Sequence, residues 1–497
     1  MPKIAIIGAG FSGLSAAAYL TAAGHEVHVF EKNYTAGGRA RQLKTDKDYV
    51  FDMGPSWYWM PEIFEQFFND FGYGVSDFYE LKLVSPSFNV VFDDSVMSVP
   101  AQYSEIRELF ESVEIGSSRR LDEFMEEAQF KYETGMNNLS KMPGISLFEF
   151  LHKDLLKGSL RLQIFSSFSK YVRKYFSHPK LIALMEFPVL FLGAMPQETP
   201  ALYSLMNYAC LKLGTWYPSG GLGKVIEAMI KVAEAGGAKF HFNSPVEKIQ
   251  IENNKATAVI VNRQQLDFDA IVASADYHHV EEKLLEPAYR NYKEKYWKRK
   301  TFAPSALIFY LGINKKIRSL EHHTLFFDED LLQHSKEIYK NPEWPHKPLF
   351  YVCCPSKTDE SIAPSNHANI FLLMPIAAGL EDNTSTREKY FKIMMERLQK
   401  HSGEEIISHI DFKKSYCVND FVADYNSYKG NAYGLANTLM QTAILKPKIR
   451  NKKIENLFYA GQLTVPGPGV PPSLISGKIA AEQLLKYLKS KKYETVI

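Results

Sequence analysis

Residues 8–13 read GAGFSG, which places Gly8, Gly10 and Gly13 in G-x-G-x-x-G spacing, and Glu31 follows 18 residues beyond the last glycine. That combination suits a dinucleotide. Gly8 makes a tight turn, Gly10 lets the backbone approach a pyrophosphate, and Gly13 permits close packing of a helix on a strand. Phe11 and Ser12 fall at the start of that helix, whose positive end faces the phosphates. Glu31, with Lys32 beside it, is placed to accept hydrogen bonds from a ribose diol, and an acid there favours a ribose without a 2′-phosphate. These residues alone leave NAD and FAD both open.

The elements that position them are legible on either side. Lys3 to Ile7 is a β-branched run, LSAAAYLTAAG favours a helix ending at Gly24, and HEVHVFE alternates as a second strand. Met1, Pro2 and Lys3 lead straight into the first apolar run, which meets glycine too soon for a signal peptide.

After Glu31 come KNYTAGGRARQ and, from Phe51, FDMGPSW. Here the chain resembles the glycine-doublet flavoprotein superfamily, which includes amine oxidases, protoporphyrinogen oxidase and carotenoid desaturases. The resemblance implies FAD and an α/β fold, a Rossmann-like FAD-binding domain carrying an inserted α+β substrate domain. It sets Gly37, Gly38 and Arg39 along the cofactor, Gly54, Pro55 and Ser56 near the flavin, and the backbone of Val246 against the adenine.

The end of the chain completes the pattern. NLFYAG, from Asn456, reads as a strand joining the dinucleotide sheet, and AGQLTVPGPGVPPSLISGKIAAEQLL follows from Ala460. Proline restricts its own backbone and the residue before it, so VPGPGVPP predicts a rigid, extended path, with Ser473 as cap of the final helix. A helix start aimed at an isoalloxazine stabilises the charge of its reduced form. This predicts Gly461, Gln462 and Val470 at the flavin, and a frayed KSKKYE tail.

Further stretches narrow the resemblance: FDMGPSWYWMPEIFEQFF, LGAMPQETPALYSLMNYACLKLGTWYPSGGL from Leu192, HHTLFFDED, TDESIAPSNHANIFLLMP, YNSYKGNAYGL from Tyr425 and the terminal motif. Over essentially the whole chain they look like the phytoene desaturase type of bacterial carotenoid desaturase. That family implies a long apolar polyene substrate, hydride transfer from an allylic carbon to flavin N5 with proton loss from the neighbouring carbon, and oxygen or a quinone as electron acceptor. Its members also include 1-hydroxycarotenoid 3,4-desaturases and carotenoid isomerases. More distant readings are an amine oxidase and a nonenzymatic prenyl-binding carrier. No nucleophile with a base, metal-ligand spacing or set-apart carboxylate pair is read, so no catalytic side chain and no metal are assigned; His278/His279 and His322/His323 read as ordinary surface or core histidines.

Composition sets the frame. The 497 residues are 45% hydrophobic and 23% charged, with a net charge of +2, which disfavours a nucleic-acid partner. Four cysteines at irregular spacing suit a reducing, cytoplasmic setting. No apolar run is long enough to span a bilayer; aromatic residues cluster between Phe148 and Tyr217, and YRNYKEKYWKRK from Tyr289 mixes aromatic and basic residues, so peripheral association with the inner face of the cell membrane is expected. Helical spacing is read from Phe64 to Ser140, three apolar runs between Phe302 and Met374 as a separate sheet, and REKYFKIMMERLQKH as a helix. The chain is divided into an FAD-binding domain of residues 1–80, 215–280 and 450–497, and a substrate-binding, membrane-associating domain of residues 81–214 and 281–449.

Overall fold

The computed structural model describes residues 1–145, 161–164, 166–190, 193–438 and 440–494. The opening segment folds as β1 (Lys3–Ile7), α1 (Phe11–Ala22) and β2 (Glu26–Phe30). β1 is the centre of a five-stranded sheet in the order Leu457–Tyr459, Ala270–Ala273, β1, β2, Lys239–His241, and every pairing in it is parallel. The sheet thus takes strands from the beginning, middle and end of the chain.

Its two faces follow from the period of two along a strand. Ile4 and Ile6 pack with α1, the helix Leu222–Ala235 and the terminal helix Val470–Glu494. Ala5 and Ile7 face the other way, onto a three-stranded antiparallel sheet formed by Val246–Glu252, Lys255–Val261 and Gln264–Asp267. Both faces are covered, which is why β1 is almost uniformly apolar.

A second sheet holds seven strands in the order Ile410–Tyr416, Ser305–Ile313, Ala368–Ile376, Phe350–Cys353, His323–Phe326, Phe88–Val91, Val96–Val99. Its pairings are antiparallel except the one between His323–Phe326 and Phe88–Val91. Leu307, Phe309 and Leu311 pack against Met394 and Leu398 of the helix Thr384–Ser402. The alternate residues Ala306, Ile308 and Tyr310 face an aromatic-rich core that includes Trp59, Phe88 and Phe187.

Four expectations need correction. The span from Phe64 to Ser140 is not continuously helical: helices Pro61–Asn69, Tyr103–Val113 and Ser117–Asn137 flank strands Phe88–Val91 and Val96–Val99, because FNVV and VMSV alternate about a DDS turn and find a sheet edge to join. Ser473 does not cap the final helix. That helix begins at Val470, since prolines 471 and 472 occupy its first turn, where an N–H has no helical partner to lose, and the Ser473 N–H already bonds the Gly469 carbonyl. The tail is not frayed at KSKKYE, because the helix continues to Glu494. In YRNYKEKYWKRK the aromatic residues turn inward: Trp297 is fully buried, and Tyr292 and Tyr296 pack beside it. Phe148 and Leu192, which bound two of the expected features, lie outside the described residues.

Candidate functional site

A cavity of about 630 Å³ runs from the carboxyl edge of the parallel sheet to the inner face of the seven-stranded sheet. Gly8, Gly10, Phe11, Ser12, Glu31, Lys32, Gly38, Arg39, Gly54, Pro55, Ser56, Val246, Gly461, Gln462 and Val470 all line it. Gly13 does not. It sits behind the cradle, where a Cβ would fall 2.0 Å from the Gly8 carbonyl oxygen, so its part is to let α1 pack tightly against the turn.

The cradle is held by bonds between distant segments. Glu31 Oε2 accepts the Ala9 N–H at 2.9 Å, and Oε1 accepts from the Asn33 backbone and side chain at 2.9 and 2.8 Å. The carboxylate therefore shapes the glycine turn as well as facing the cavity. Ser12 Oγ lies 2.7 Å from Ser274 Oγ, and the Gly461 N–H donates to Ser476 Oγ at 3.0 Å. α1 and the terminal helix both begin at the cavity, so two helix N-termini face it from the two ends of the chain.

Arg39 donates from one guanidinium nitrogen to Ser427 Oγ at 3.1 Å and to the Asn431 carbonyl at 3.2 Å, and it lies over the Tyr425 ring at 5.0 Å. Burial lowers its pKa, opposed by the charge of Asp276. The Asp276 carboxyl is raised for the same reason, with Arg39 opposing. Lys32 reaches the Ala423 carbonyl.

Tyr425 and Asp276 carried no assigned role in the sequence reading. Asp276 had a signal: it follows the strand Ala270–Ala273 much as Glu31 follows β2. Tyr425 lay in a quoted motif, but which residues its ring would meet was set by long-range packing.

Whether the cradle suits a flavin dinucleotide can be judged from its unmet polar atoms. Arg39 Nε, Asp276 Oδ2 and Gln462 Nε2 are buried, border the cavity and have no hydrogen-bond partner among the described residues. Buried polar atoms are rarely left this way, and a bound group rich in phosphate, hydroxyl and imide functions would satisfy them. A Cβ on Gly10 would meet nothing within 4 Å, which leaves the phosphate approach open. The residues fit the group.

Beyond the cradle the lining turns apolar. Trp57, Met60, Phe187, Met206, Ile308 and Leu325 contribute, and Tyr339, Tyr351 and Tyr433 bring hydroxyls. The family model described as flavin containing amine oxidoreductase matches residues 11–485.

The chain belongs to the flavin-containing amine oxidoreductase family.

As in that family, FAD is the cofactor. Relatives of this family member are carotenoid desaturases. The chain is 38% identical to a carotenoid 3,4-desaturase of Haloarcula japonica, over 97% of this chain and 98% of the relative. It is 29% identical to a zeta-carotene-forming phytoene desaturase of Myxococcus xanthus, over 98% and 94%. It is 30% identical to a 4,4′-diapophytoene desaturase of Staphylococcus aureus, over 97% and 99%. Among solved structures, an oxidoreductase from Methanosarcina mazei superposes with a TM-score of 0.62 at 18% identity, covering 97% of this chain and 100% of the other. Putrescine oxidase bound to putrescine superposes with a TM-score of 0.62 at 12% identity, covering 98% and 99%. These two likenesses establish the fold.

Proposed function

We propose that this protein is an FAD-dependent carotenoid desaturase that introduces conjugated double bonds into an acyclic carotenoid. The observation that carries the reading is the continuity of one cavity from the glycine cradle to an apolar chamber. Residues 1–80, 215–280 and 450–497 hold the dinucleotide, and residues 81–214 and 281–449 hold the polyene. The identity of 38% to a 3,4-desaturase, against 29% and 30% to phytoene-type enzymes, favours desaturation at the 3,4 position over the phytoene reaction that the motifs alone suggested.

Bound FAD supplies a two-electron acceptor for the hydride of an allylic carbon. The protein's own contribution is binding, orientation and exclusion of water. Glu31 would take the adenosine ribose, the backbone at Gly8, Gly10, Phe11 and Ser12 would take the pyrophosphate with Arg39 alongside, and Val246 would meet the adenine. Gly54, Pro55, Ser56, Gly461, Gln462 and Val470 would hold the ring system. Ile308, Leu325 and Phe187 form dry walls that hold the chain extended beside the reacting end, so that positioning supplies much of the acceleration. Extended conjugation delocalises charge on the carbon skeleton, so the proton lost from the neighbouring carbon needs no strong base on the protein and passes to a weak acceptor, water at the mouth of the cavity.

We place the working enzyme against the inner face of the cell membrane, passing electrons to oxygen or a quinone. Among the described residues no helix is long and apolar enough to cross a bilayer. Ile145, Met440 and Leu445 are exposed, and Lys448 Nζ ties two of these segments together by bonding the Gly144 and Ile444 carbonyls. Flotation with anionic liposomes tests the attachment; protein remaining wholly unbound would remove it.

The reaction is tested by expression in cells making phytoene and, separately, a hydroxylated acyclic carotenoid, with the pigments resolved by chromatography. New, longer-wavelength chromophores in either strain support desaturation. Flavin that bleaches under nitrogen with an amine and not with a carotenoid would overturn it.

A further inference from the structure

Beside the apolar chamber, two buried histidines and a buried cysteine converge. His323 opens the strand His323–Phe326 and is the direct antiparallel partner of Cys353, while the His322 carbonyl accepts the Cys354 N–H at 2.8 Å. Directly paired residues carry their side chains on one face of a sheet. His322, His323 and Cys353 are at most 2% exposed, and each offers a ligand atom within 4.8 Å of the other two.

The hydrogen bonds show which nitrogen of each ring is left free to ligate. Nδ1 of His322 lies 2.6 Å from Thr358 Oγ1, and Nδ1 of His323 lies 2.6 Å from the Tyr351 hydroxyl. Both Nε2 atoms are buried and have no partner among the described residues. An unmet acceptor is tolerated inside a protein more readily than an unmet N–H, so each ring carries its proton on Nδ1 and donates it to the neighbouring hydroxyl oxygen. Each ring thereby keeps a bare Nε2 lone pair, on residues that cluster with the Cys353 thiol. This is the arrangement of metal-bound imidazoles, whose second nitrogen donates to an outer acceptor that fixes the tautomer.

We propose that Nε2 of His322, Nε2 of His323 and Sγ of Cys353 bind one soft monovalent cation, Cu⁺. Thiolate with imidazole suits soft and borderline d¹⁰ ions, and the number of donors decides between them. Three donors in a buried site match a low-coordinate Cu⁺, whereas Zn²⁺ takes four ligands. Asp359, which acts electrostatically on His322, is held by the Gly220 N–H at 2.6 Å and by the Ser361 backbone and hydroxyl and is not one of the three. Binding exchanges the Cys353 thiol proton for the ion and releases one proton to solvent.

The site backs onto the chamber. Trp57 stacks on His323 with ring centroids 4.0 Å apart, and Ser56 Oγ lies 3.0 Å from the Tyr351 hydroxyl. A bound ion would fix the wall that these residues present to the cavity.

The flavin-loaded full chain is titrated under nitrogen with Cu⁺ against a chromophoric Cu⁺ chelator, with bound metal measured by mass spectrometry. One tight equivalent is expected, with X-ray absorption showing one sulfur and two imidazole nitrogens. Cys353→Ser should weaken binding at least 100-fold, and Cys354→Ser should keep it. Thr358→Val leaves every ligand in place but removes the acceptor for His322 Nδ1, and should weaken binding by roughly 10–100-fold. Flavin content and monodispersity confirm that each variant has folded. Zinc held by the three residues would overturn the monovalent assignment. Affinity unchanged in Cys353→Ser, or a high-resolution structure after Cu⁺ loading with a bridging water between the three residues, would overturn the site.

Discussion

Ser15 Oγ donates to the carbonyl of Leu474 at 2.7 Å, joining residues 459 positions apart. This bond lies where the first and last helices cross, and both helices start at the same cavity. The crossing is close because residue 477 is glycine: a Cβ there would fall 2.2 Å from the Ser12 carbonyl oxygen and 2.7 Å from the Ser15 Cβ. Gly477→Val therefore forces the helices apart at the cofactor end. The variant is expected to purify with less than a tenth of the wild-type flavin and to unfold at lower temperature, by absorbance and calorimetry. Ser15→Ala removes one hydrogen bond and should cost about 1 kcal/mol while keeping the flavin.

Glu31 bonds both Ala9 and Asn33, one through each oxygen. In Glu31→Gln the amide NH₂ must oppose one of these N–H donors, leaving it without an acceptor at a cost of about 1–3 kcal/mol. The flavin dissociation constant, measured by fluorescence on adding FAD to apoprotein, should rise at least tenfold, with the far-ultraviolet spectrum unchanged.

Ala306 and Ile308 are alternate residues of the strand Ser305–Ile313, and both line the chamber. Ala306→Trp fills that space and leaves the glycine cradle untouched. Turnover of a carotenoid should fall at least tenfold with full flavin content retained. Retained turnover would mean that the polyene lies elsewhere.

Glu281 is fully buried and accepts from the Tyr459 hydroxyl at 2.5 Å and the Tyr292 N–H at 2.9 Å. Burial raises its carboxyl from 4.5 to about 7. Between those values the folded protein holds a proton that the unfolded chain has released, so stability falls as pH rises through this window and levels off above it. The loss is roughly 3 kcal/mol. Glu281→Gln removes the titration: its stability relative to wild type should rise from pH 4.5 to 7 in denaturant melts, and a pH-independent difference would show that the carboxyl stays charged in the fold.

The sequence by itself determined the local units. Glycine spacing and the period of two made β1, α1 and β2 readable, and the runs SALIFYLGI, PLFYVCC and ANIFLLMPI announced strands, because their signals lie within a few residues of one another. Glycine spacing also announced the cradle of Gly8, Gly10 and Glu31, while the resemblance carried the choice of FAD and added Gly38, Arg39, Gly54, Pro55, Ser56 and Val246 to the lining. Tertiary structure decided what depends on distant partners. It set Asp276 and Tyr425 around Arg39, turned Trp297 inward, drew Phe88–Val91 to the edge of a sheet built mostly from residues beyond 300, and began the last helix at Val470 in place of Ser473. It also brought His322 and His323 to Cys353 through strand register, a relationship that spacing along the chain does not encode. The physical reason is the same throughout: turn and helix signals are local, whereas burial and pairing are settled by whichever surfaces the folded chain brings together.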